Sequence, residues 1–93
     1  MIKSFKDKDT ELIFEGKNSK KFNAIQKVAK RKLDMLHFAF CEQDLIVPPS
    51  NHFEHLKGDM AQYCSIRVND QYRIVFRFKD GYAYEVRITD YHK

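Results

Sequence analysis

The chemistry this chain can support is concentrated in its second half. Lys57, Arg67, Arg73, Arg77 and Arg87 are fixed cations there, and the chain closes on Thr89-Asp90-Tyr91-His92-Lys93. Guanidinium groups hold phosphate through paired donors, and an ammonium neutralises charge that develops beside it. Histidine, with an ordinary pKa of ~6.5, suits proton transfer near neutrality. Cleavage or transfer at a phosphate depends mostly on positioning and electrostatic stabilisation, which lysine and arginine supply without a metal. The plainer alternative is a solvated sheet face on which Glu85 pairs one arginine, followed by a frayed terminal histidine.

The elements that position these residues follow from periodicity. Residues 65–78, SIRVNDQYRIVFRF, alternate apolar and polar on either side of a polar turn at Asn69-Asp70 or Asp70-Gln71. The spacing predicts a hairpin with Ile66, Val68, Tyr72, Ile74, Phe76 and Phe78 on one face and Arg67, Arg73 and Arg77 on the other. Arg67 and Arg73 become close cross-strand neighbours, and two such forks can hold one phosphate. A second turn, Lys79-Asp80-Gly81, is a strong hairpin signal. It leads into a last strand over about 82–89, with Tyr82, Tyr84, Val86 and Ile88 inward and Glu85 and Arg87 beside the arginine row.

Helices are expected before the sheet. Ile2–Phe5 reads as a short edge strand, and Asp9 or Thr10 caps a brief helix through Leu12–Phe14 that Gly16 ends. Asn18-Ser19 reads as the cap of a longer helix, whose stripe is Phe22, Ile25, Ala29, Leu33, Leu36 and Phe40. Its other faces carry Lys20, Lys27, Lys30 and Arg31. Pro48-Pro49 bars helical continuation, and residues 50–58 read as a loop or turn pinned by Phe53 and Leu56. Helices followed by an antiparallel meander make an α+β fold, and 93 residues suit one domain over 1–93.

Bulk properties narrow the class. With 17 Lys+Arg against 13 Asp+Glu, the chain has net charge +4 and a pI near 9.1, which suits a polyanionic partner. The charged opening has no apolar signal region, and no apolar run approaches the ~20 residues needed to cross a bilayer, so a cytoplasmic protein without a membrane partner is expected. Cys41 and Cys64 make no metal or redox motif. His52 and His55 stand three apart without an evident third ligand, so neither a metal nor a cofactor is expected.

Three segments in order, VPPSNHFEHLKGD, SIRVNDQYRIVFRF and DGYAYEVRITDYH, closely resemble the HigB plasmid-maintenance killer proteins of the RelE/ParE toxin superfamily. The likeness is strong over about the last 45 residues, and looser in the MI-x-SF opening and the helical half. It implies helices packed on one face of a small antiparallel sheet. It also implies a ribosome-dependent mRNA endonuclease in which the substrate's 2′-hydroxyl attacks the adjacent phosphate. The matching functional positions are Lys57 in LKGD, Arg67 in SIRV, Arg73 in QYRI and His92 in DYH, with Asp90 and Tyr91 in support. Arg77 is a further candidate for guiding RNA.

The resemblance further implies a HigA-like helix-turn-helix antitoxin, contact with ribosome and mRNA, and operator DNA bound only through the antitoxin complex. Cys64 stands where relatives usually carry an aromatic residue, a loss that Tyr63 can offset, and Met60 where they often carry arginine. These departures bear on base preference. The competing expectation is a toxin of the same fold without nuclease activity, such as a ParE-like DNA gyrase poison or a non-enzymatic binding protein. A terminal histidine near an arginine pair favours the nuclease.

Overall fold

The computed structural model describes residues 1–91, so His92 and Lys93 lie outside the described residues. Three helices, α1 (Lys8–Phe14), α2 (Gln26–Phe38) and α3 (Glu42–Ile46), precede or flank four strands, β1 (Glu54–His55), β2 (Cys64–Arg67), β3 (Tyr72–Lys79) and β4 (Tyr82–Asp90). The strands form an antiparallel sheet in the order β1-β2-β3-β4. The expected α+β architecture is therefore the observed one.

One face of the sheet supplies the core. Ile66, Ile74, Phe76, Ala83, Val86 and Ile88 are buried against Ile13, Ala29, Leu33, Leu36 and Leu45 of the helices. Burying a side chain of this size contributes about 1.5–3 kcal/mol, so this layer is the main source of stability. The N-terminal segment lies along the free edge of β4, parallel to it, through single bridges at Ile2–Ala83 and Phe5–Val86.

Several local expectations are corrected. The cap of α1 is Asp7, whose carboxylate accepts the Thr10 amide at 2.7 Å. Thr10 is buried instead, and its hydroxyl accepts the Ile88 amide at 3.0 Å, which ties α1 to β4. Ser19 does cap a turn, since its Oγ accepts the Phe22 amide at 3.2 Å. The α-helix proper begins only at Gln26, after a 3₁₀ turn over Asn23–Ile25.

Phe40 does not belong to the helical stripe. Helix α2 ends at Phe38, and Phe40 is 87% exposed. The cause is local: the Asp44 carboxylate accepts the amides of Phe40 (2.9 Å) and Cys41 (3.4 Å), which starts α3 and leaves α2 no continuation. The expected loop over 50–58 contains β1, which pairs Glu54 with Ser65 and His55 with Cys64. Two residues are too few for alternation to be visible.

The turn at Asp80-Gly81 has positive φ at both residues (53° and 83°), the mirror-image hairpin geometry that Asp-Gly favours. The last strand departs from the expected alternation. Val75 faces Arg87 but Arg77 faces Tyr84, so β4 carries one extra residue opposite Phe76. Glu85, at φ 55°, absorbs the bulge. Ala83, Val86 and Ile88 are therefore the inward residues, while Tyr82 and Tyr84 share the outer face with Lys79 and Arg77.

Candidate active site

The outer face of the sheet carries a cleft of about 540 Å³ lined by Glu54, Arg67, Asn69, Asp70, Gln71, Arg73 and Tyr91. Its floor is the hairpin. Arg67 and Arg73 are direct cross-strand partners, which places the centre of the turn on Asp70. The Asn69 carboxamide oxygen shapes that turn by accepting the amides of Gln71 (2.9 Å) and Tyr72 (2.7 Å).

Two like charges directly opposite on a sheet repel, and each guanidinium here has its own counter-charge. Arg67 donates to the carboxylate of Asp70, a fully exposed side chain. Arg73 lies 3.5 Å from the Glu54 carboxylate. Both carboxylates can swing into solvent, so an incoming phosphate competes with mobile anions.

Arg73 is held far more firmly than Arg67. It is only 8% exposed; its Nε donates to the Ser65 hydroxyl at 2.8 Å, and one terminal nitrogen donates to the His52 carbonyl. His52 is itself the left-handed residue (φ 43°) that ends the 3₁₀ turn Pro49–Asn51. The turn is anchored by buried Asn51, whose amide nitrogen donates to the Leu45 carbonyl at 3.0 Å. Asn51 in turn accepts from Lys32 at 2.6 Å. Burial lowers the pKa of the Lys32 ammonium, and Arg31 and Arg67 add to the shift.

Tyr91 walls the cleft. Its amide donates to the Gln71 carbonyl at 2.6 Å, extending the β3–β4 pairing, and its ring centre lies 5.9 Å from the Arg73 guanidinium carbon. Asp90 sits opposite Tyr72 and accepts from the Gln71 carboxamide at 3.2 Å. His92, one residue beyond Tyr91, lies outside the described residues.

The remaining sequence candidates are elsewhere. Lys57 is exposed, just before the 3₁₀ turn Gly58–Met60, and is not among the residues lining the cleft. Arg77 donates to Glu85 at 2.7 Å and stacks on Tyr84 with 5.0 Å to the ring centre. Arg87 stacks on Tyr63 at 4.8 Å. Glu85 also accepts from the Tyr63 hydroxyl at 3.0 Å, and these bonds, Arg77 first, hold its carboxyl below the usual range.

Sequence reasoning missed Glu54, Asn69 and Gln71 as lining residues, and Ser65 and His52 as supports for Arg73. Ser65 was accessible from the period-two pattern, since it stands two residues before Arg67. Glu54 carried no signal, because its strand is too short.

Residues 3–92 match the family model of the HigB-like toxins, described as RelE-like toxins of type II toxin-antitoxin system HigB. The chain is 42% identical over 95 residues to Toxin HigB-1 of Vibrio cholerae, covering all of this chain and 99% of that protein. It is 32% identical over 98 residues to Endoribonuclease HigB of Proteus vulgaris, covering 99% of this chain and all of that one. The fold is similar to that of a YafQ mutant from E. coli, with a TM-score of 0.65, 16% identity and coverage of 98% of this chain and 92% of that one. By its match to the family model over nearly its whole length, this chain belongs to the HigB-like, RelE-like toxins of type II toxin–antitoxin systems.

Proposed function

We propose that this toxin is an endoribonuclease that cuts mRNA on the ribosome and so blocks translation. The observation that carries the reading is the facing pair Arg67 and Arg73 on the floor of a cleft walled by Tyr91. A sequence relative across the full chain bears the name Endoribonuclease HigB, which supports the same activity.

The substrate's own 2′-hydroxyl attacks the adjacent phosphorus, the P–O5′ bond breaks, and a cyclic phosphate and a 5′-hydroxyl remain. Arg73, buried and braced, fixes the scissile phosphate, and Arg67 pairs with it from the opposite strand. Asp70 and Glu54 are displaced from the two guanidinium groups as the phosphate enters. Tyr91 offers a ring on which a base can stack. His92 acts as general acid or base, Asp90 supports the terminal motif, and Lys57 neutralises developing charge. Arg77 contributes along the outer sheet face, once Glu85 releases it. The step needs no metal, because fixed cations supply the stabilisation.

In this reading the toxin works in the cytoplasm. A HigA-like helix-turn-helix antitoxin holds it inactive, and operator DNA is met only through that complex. The test is expression of the chain alone, followed by mapping of RNA ends with and without translating ribosomes. Growth arrest with cuts confined to translated mRNA is expected. Arrest with both naked and ribosome-bound RNA left intact overturns the reading.

A further inference from the structure

Beside the cleft, but on the other side of β1, the side chains of Glu42, His55 and Cys64 come together. Their ligand atoms all lie within 4.8 Å of one another. They come from three elements: Glu42 opens α3, His55 ends β1, and Cys64 begins β2 as the cross-strand partner of His55. Consecutive residues of a strand face opposite ways, so His55 points away from Glu54 and the cleft.

The geometry points to a site for a thiophilic divalent cation, with zinc the natural occupant. Zinc takes thiolate sulfur at ≈ 2.3 Å and imidazole nitrogen at ≈ 2.0–2.1 Å, so two such ligands in a tetrahedral shell stand roughly 3.5 Å apart. The Cys64 Sγ and His55 Nδ1 atoms are 3.4 Å apart. The imidazole ring is also oriented: Phe53 meets it edge-on at 5.2 Å between centres, and Glu42 lies 2.9 Å from Nε2.

The Glu42 carboxylate, on a side chain 40% exposed, is the oxygen donor of the cluster. His55 and Glu42 face solvent, so water completes the fourth position. Binding follows Cys64–SH + M²⁺ → Cys64–S–M⁺ + H⁺, with the thiol proton released to solvent. A bound ion ties α3 to the edge strand that carries Glu54, and so stiffens one wall of the cleft.

The purified full chain is titrated with Co²⁺ under reducing conditions. A thiolate-to-cobalt charge-transfer band saturating at one ion per chain is expected, and Zn²⁺ should abolish it. Cys64→Ser should remove the band, while Cys41→Ser should leave it unchanged. His55→Gln, at an exposed position that leaves the core intact, should weaken binding by at least about tenfold. Absence of the band in the folded chain, its persistence in Cys64→Ser, or its loss in Cys41→Ser overturns the assignment.

Discussion

The Glu54 carboxylate stands 3.5 Å from the Arg73 guanidinium, and it comes from an edge strand two residues long. The most buried cation of the cleft thus meets an exposed anion that a phosphate must displace. Glu54→Gln removes this competitor while keeping the shape. RNA-fragment affinity should rise roughly three- to tenfold, equivalent to about 1 kcal/mol, the scale of an exposed pair. Fluorescence anisotropy at fixed ionic strength measures it, and unchanged or weaker binding would sink the idea.

Arg67 and Arg73 should separate stability from activity. Arg73→Ala leaves the Ser65 hydroxyl and the His52 carbonyl without their donor, and should cost about 2–4 kcal/mol in urea unfolding as well as cleavage. Among the described residues Arg67 donates to an exposed carboxylate, so Arg67→Ala should change stability by no more than about 1 kcal/mol. Cleavage should nonetheless fall by about 10²-fold or more, the usual effect of losing one preorganised donor. Equal destabilisation by the two substitutions would count against this division.

The acid limb of stability should depend on Glu85. Arg77 and Tyr63 lower its folded pKa relative to the unfolded value of about 4.3, so the unfolded chain binds the proton more readily. The contribution is therefore complete above that pH and disappears as pH falls through the lower, folded pKa. Glu85→Gln should flatten the stability profile below about pH 4.5 and leave its neutral shape alone. Thermal unfolding of both chains between pH 3 and 7 decides the matter.

Gly81 should tolerate no side chain. Its φ is 83°, and an added Cβ would meet the Phe40 carbonyl oxygen at 3.0 Å. Gly81→Ala should destabilise by about 1–2 kcal/mol, combining the left-handed penalty with that contact. Gly16 has a similar φ of 82° but open space, so Gly16→Ala should cost only the conformational part. Paired urea titrations would test the difference.

The sequence by itself determined the hairpin, its two faces, and the opposition of Arg67 to Arg73. Alternation and a polar turn are local properties, and register follows from them. It also carried the α+β order and the motifs of the toxin family. Tertiary structure alone decided what each cation does. Arg73 is bound to the scaffold because residues 51–55 fold back over it, and a bulge that shifts β4 by one residue puts Tyr84, not Glu85, opposite Arg77, so Arg77 both lies against the Tyr84 ring and reaches the Glu85 carboxylate. Neither the bulge at Glu85 nor the two-residue strand β1 leaves a periodic trace, since both depend on pairing between segments far apart in the chain. The same pairing brings Glu42, His55 and Cys64 together, three residues that no spacing rule would have joined.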